Sequence, residues 1–356
     1  MRGVCGRRRP SGVARGLLGL VTAYVGLTFA GTWACWGLSA LLTQVVVPSL
    51  AAPGGAAAGG FAGALGPLAG ALQVMGTLVP AVVAYALFPR VRALGLAGPV
   101  NGRPLDTRCA KSVDGGDDPR AGFWAFAFGT RPRLGGWLFF VVLAVWRWAM
   151  FRAALGFPET PEAALVHFVT ALPMLLLGGG FEEIGWRGLL QPALMRLLEG
   201  RGAPNIARGA SVVRSAAHPG EGSAHSGGAV RPVVAALLVP LLVGAIWACW
   251  HLPLFAMPGT YQHGLAFLPF AGIAVALSYS LGALRALTGG PLACILGHAW
   301  YNAMLVAPLA PLMVGAVGEA LAGQAALFGA LFALEAVAGA AILVAHTVRK
   351  PRIVTR

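Results

Sequence analysis

Charge is what this sequence of 356 residues lacks. Only 11% of its residues are Asp, Glu, Lys or Arg, against roughly 25% in a soluble globular domain. So few charges cannot cover the surface of a soluble protein of this length. Acidic residues are the scarcer sign, with 12 Asp+Glu beside 26 Lys+Arg. Cysteine is sparse too. Cys5, Cys35, Cys109, Cys249 and Cys294 are scattered without a CxxC pair, which excludes a disulfide framework and a zinc ribbon. Cys249, in an apolar stretch beside Trp250, reads as a small buried packing residue. The 51 glycines and 25 prolines show no G-X-Y period, so collagen is excluded. No internal repeat is evident, which argues against an inverted-repeat transporter. What is abundant is apolar: 57% of residues are hydrophobic and the mean hydropathy is +0.74, which excludes disorder. A polytopic, all-α membrane protein remains.

Stretches long enough to cross about 30 Å of hydrocarbon fall at 17–42, 67–88, 134–156, 163–180, 233–256, 266–284, 291–312 and 324–346, predicting a bundle of about eight transmembrane helices. Arg7, Arg8 and Arg9 precede the first, but its apolar run is too long for a signal peptide, so it reads as an uncleaved span. Apart from Arg147 and Arg152, every Lys and Arg falls on one side of this threading. The segments 43–66, 157–162, 257–265 and 313–323 hold none and carry Glu159, Glu162 and Glu319. The positive-inside rule then places both termini in the cytoplasm. The net charge of +14 accordingly reads as loop cations that orient the chain and meet lipid headgroups, with no nucleic-acid partner implied. Arg147 and Glu335 fall inside spans, where charges face the bundle interior, and read as a structural ion pair. Arg152 reads as snorkelling to the interface. Two long loops on the cytoplasmic side, 89–133 (with Asp114, Asp117 and Asp118) and 199–232 (with His218 and His225), read as polar and solvated.

Polar residues within apolar surroundings concentrate between 182 and 302. Phe181-Glu182-Glu183-Ile184-Gly185-Trp186-Arg187 closes the fourth span. Glu183 and Arg187 are four apart with the acid first, the favourable helix ion pair. Glu182 lies about 100° round the helix and cannot share that arginine equally, so it is left to face a cavity as a general base. Trp247-Ala-Cys-Trp-His251 ends the fifth span. His298-Ala-Trp-Tyr-Asn302 lies in the seventh and puts an imidazole and an amide on one helical face. That pair can hydrogen-bond a developing negative charge. His298 and His251 could equally join Glu182 in a zinc site, since imidazole and carboxylate are ordinary zinc ligands.

Three such elements, in this order on three spans, resemble the CAAX protease and bacteriocin-processing (CPBP, or Abi) family of intramembrane proteases. That family's motifs are Glu-Glu-x-x-x-Arg, Phe-x-x-x-His and His-x-x-x-Asn. Glu182, Glu183 and Arg187 match the first, His251 the second and His298 with Asn302 the third, while Trp247 replaces the Phe. The resemblance covers 163–312, a four-span core. It is flanked by a basic N-terminus (1–16), three spans (17–162), and a last span with a basic tail (313–356). It implies an intramembrane endopeptidase acting on a membrane protein or peptide. Glu182 would activate water with help from His251, and His298 and Asn302 would hold the oxyanion. Glu183, Arg187 and Trp247 would support them. The resemblance favours a scheme with no metal cofactor. The zinc alternative uses Glu182, His251 and His298. The other class of reading is a non-catalytic scaffold or immunity protein in the same fold. The Ala-, Gly- and Arg-rich composition suggests a bacterial plasma membrane. Nothing in the sequence fixes the oligomeric state.

One conflict is visible in the sequence itself. Glu182 ends the fourth span near the cytoplasm, whereas His251 lies about 27 Å into the fifth at 1.5 Å per residue. A break at Gly178-Gly179-Gly180, with 181–198 forming a separate helix, would bring the two together.

Overall fold

The computed structural model describes residues 10–50, 59–97, 120, 122–129, 133–155, 160–200, 230–306 and 323–349. Both termini and most of the 89–133 and 199–232 loops fall outside these. So do Cys5, Cys109, Asp114, Asp117, Asp118, His218 and His225.

The described residues are helical and contain no strand. The main helices are α1 (Pro10–Leu41), α2 (Gly59–Ala93), α3 (Leu134–Leu155), α4 (Pro161–Leu175), α5 (Gln191–Glu199), α6 (Val230–Trp250), α7 (Phe267–Thr288), α8 (Leu292–Val306) and α9 (Ala325–Arg349). Widened turns over Leu42–Val46 continue α1. Among the described residues seven helices are long and apolar enough to cross a membrane, rather than about eight. The difference is α8, which is helical for 15 residues, while 307–312 of its expected span lie outside the described residues. The fifth span also ends early, at Trp250 instead of 256. Pro253 has no N–H for the carbonyl of Cys249, and its ring crowds that carbonyl.

The outward faces are apolar: Val142 is 63% exposed, Val166 63% and Val337 67%. Water would penalise such a surface, and lipid does not. The chain is an integral membrane protein. Cys249 is exposed on this outer surface, so the expectation that it is buried is wrong. On α6 its neighbours Ala248 and Trp250 turn inward instead.

Helices approach closely where side chains are small, as membrane packing requires. α7 packs against both α6 and α9. A Cβ on Gly244 would come within 2.6 Å of Val275, and one on Gly339 within 2.7 Å of Tyr279. α1 packs along α2. There Pro80 leaves the carbonyl of Gly76 without its helical donor, and Thr32 Oγ1 donates to that oxygen at 2.9 Å. The expected ion pair forms: Arg147 Nη2 lies 2.8 Å from Glu335 Oε1, joining α3 to α9. Arg147 also donates to Ser280 Oγ on α7 at 3.0 Å and to the carbonyl of Gly297 on α8 at 2.7 Å. α8, which carries His298 and Asn302, is thereby tied through one guanidinium on α3 to a cluster that also holds α7 and α9.

Candidate active site

The site begins where α4 breaks. After Leu175 the chain widens over Leu176–Gly180, and Gly179 is non-helical (φ 160°, ψ −37°). A second helical stretch then carries Glu182 and Glu183, widens again over Ile184–Leu190 and continues as α5. Widened turns of this kind recur at functional sites, because they re-aim side chains that a regular helix would point elsewhere. The break expected at the glycine triplet is present. α8 packs directly against it, and a Cβ on Gly179 would lie 3.1 Å from His298 Nε2 and clash with Asn302 Nδ2. Only glycine lets the chain pass so close to these two groups.

Glu182 and His251 consequently line the same cavity. Trp247 Nε1 donates to Glu182 Oε2 at 2.9 Å, and Trp186 Nε1 approaches the same oxygen at 3.4 Å. One turn after Trp247, just past the end of α6, His251 Nδ1 lies 2.9 Å from the carbonyl of Trp247. Trp33 Nε1 on α1 donates to the carbonyl of Trp250 at 2.9 Å and anchors this helix end. His298 Nδ1 lies 3.0 Å from Glu183 Oε1. Arg187 Nε is 3.3 Å from Glu183 Oε2, an ion-pair distance without the alignment of a hydrogen bond. Its guanidinium carbon sits 5.8 Å from the centre of the Trp247 ring, a cation–π contact. Asn302 Nδ2 reaches the carbonyl of Gly178 at 3.5 Å.

Glu182, His251, His298 and Asn302 all line a single cavity of about 390 Å³, together with Trp247. Glu183 and Arg187 are wholly buried behind it. The hydrogen bonds assign the ring nitrogens. A carbonyl only accepts, so His251 carries its proton on Nδ1 and keeps a lone pair on Nε2. His298 likewise donates from Nδ1 to Glu183.

Several contributors were not evident in the sequence. Trp36 on α1 and Gln73, Val74 and Thr77 on α2 line the same cavity, over a hundred residues away in the chain, and no local pattern points to them. Thr77 Oγ1 also donates to the carbonyl of Leu177 at 2.6 Å, tying α2 to the break. Trp186, four residues after Glu182, was within reach of helical spacing. Among the described residues no three His, Cys, Asp or Glu side chains converge as ligands of one metal ion. Glu182, His251 and His298 share the cavity wall without forming such a set.

Residues 161–304 match the family model described as type II CAAX prenyl endopeptidase Rce1-like. Neither the curated proteins nor the solved structures offered a match. The matched segment is less than half of the chain, yet it holds the break, both glutamates, Arg187, Trp247, both histidines and Asn302. Residues 161–304 of this membrane protein are therefore similar to the Rce1-like domain of type II CAAX prenyl endopeptidases, in keeping with the resemblance that the three motifs carry.

Proposed function

We propose that the protein is an intramembrane endopeptidase, of the plasma membrane of a bacterial cell, that hydrolyses a peptide bond in a membrane-protein or peptide substrate. The observation that supports this reading best is the convergence of Glu182, His251, His298 and Asn302 on one cavity from three separate segments. In this scheme a water sits between Glu182 and the free Nε2 of His251. Glu182 takes its proton as the oxygen attacks the scissile carbonyl. Asn302 Nδ2 and the His298 ring face the resulting oxyanion and stabilise it. The proton held by Glu182 then passes to the departing amine as the C–N bond breaks, so that water is added across the bond and the carboxylate is regenerated. The step uses only this chain's own side chains.

The test is cleavage of internally quenched peptides and of membrane-protein candidates by purified wild type and Glu182→Gln. Loss of a general base lowers the rate about 10²–10⁴-fold, and that is the result expected for Glu182→Gln. Cleavage that is indifferent to this change would refute the assignment and leave the cluster with a structural role, as in a scaffold.

A further inference from the structure

A carboxylate at the end of a glutamate side chain turns easily, because its last torsion has a broad, nearly two-fold profile. Something outside the residue must decide which oxygen faces the cavity. Here that partner is the indole of Trp247, whose N–H lies 2.9 Å from Oε2, with Trp186 on the same oxygen at 3.4 Å. An oxygen whose lone pairs are engaged by donors is the weaker base, so Oε1 is left as the atom that can accept a proton from water.

Trp247 is itself held firmly. It is 4% exposed, with ring contacts to His251 (centroids 5.4 Å) and His298 (5.2 Å) and the Arg187 guanidinium near its face. It therefore touches both candidate histidines, the candidate base and the buried arginine. A phenylalanine at this position would fill similar space but offer no donor.

Building on the proposed reading of the site, we propose that Trp247 is a positioning residue: its N–H fixes Oε2 of Glu182 and so presents Oε1 to the attacking water. The test replaces the Trp247 indole by benzothiophene, an isostere with sulfur in place of the N–H, and is paired with Trp247→Phe. Both are measured in wild-type and Glu182→Gln backgrounds. A hydrogen bond to a charged group is worth about 10- to 100-fold in rate when it acts in the transition state. We expect kcat to fall by about that factor in the isostere, with KM unchanged and the helical circular dichroism as in wild type. In the Glu182→Gln background the same replacement is expected to have little further effect, because the group it positions is gone. Wild-type kcat in the isostere would overturn the proposal and reduce Trp247 to packing, while leaving Glu182 as the base. Activity that survives Glu182→Gln would instead overturn the reading of the site, and this proposal with it.

Discussion

Glu183 Oε1 and His298 Nδ1 lie 3.0 Å apart, joining positions separated by 115 residues. The sequence pairs Glu183 with Arg187 on its own helix. The structure makes it a bridge, with one oxygen toward Arg187 and the other toward His298. The carboxylate thus neutralises a buried guanidinium and orients a cavity histidine together.

Removing that bridge should damage both partners. Glu183→Ala leaves the Arg187 guanidinium buried without its counter-charge, a loss of about 3–5 kcal/mol for a broken buried pair. Glu183→Gln keeps the shape and loses the charge, so less stability and most of the activity should go. Thermal unfolding in detergent, read beside peptide cleavage, checks this. An unchanged midpoint for Glu183→Ala would show that the bridge contributes nothing to stability.

Gly179 is a steric prediction. In Gly179→Ala the new methyl meets His298 Nε2 and Asn302 Nδ2, the two groups assigned to the oxyanion. A displacement of about 1 Å at such groups costs about 10²-fold in rate. Cleavage should fall by roughly that factor while the helical circular dichroism stays as in wild type. Full activity would mean that neither group is used.

The Arg147–Glu335 pair lies outside the Rce1-like segment but is anchored on the residue before His298. Arg147→Met should destabilise by about 3–5 kcal/mol, since Glu335 is then buried alone. Adding Glu335→Leu should recover much of that loss, because an apolar replacement of a whole buried pair is often nearly neutral. Unfolding of the two single variants and the double variant in one detergent measures the coupling. Additive losses would show that the two charges do not act as a pair.

Chelation should leave cleavage intact under the scheme proposed above, in which Glu182 and His251 activate water directly. The check is activity before and after a strong chelator, with elemental analysis of the same preparation. About one zinc per chain, lost in His251→Ala together with activity, would move Glu182, His251 and His298 to a metal site.

Much of this molecule was determined by local sequence. Long apolar runs with few charges dictate membrane helices, because backbone polar groups in lipid must be satisfied within the helix. Spacing by four pairs Glu183 with Arg187, and a glycine triplet suffices to break α4. Such inferences involve residues within a turn or two of each other, so the chain alone fixes them. Tertiary packing decided what local spacing cannot reach. It made Trp247 a donor to Glu182 across 65 residues, brought Gln73 and Thr77 from α2 to the cavity wall, turned Cys249 outward and gave Glu183 its second partner. Those outcomes depend on how helices rotate and slide against one another. In lipid, that is set by close contacts at small residues and by the few buried polar groups that must find partners.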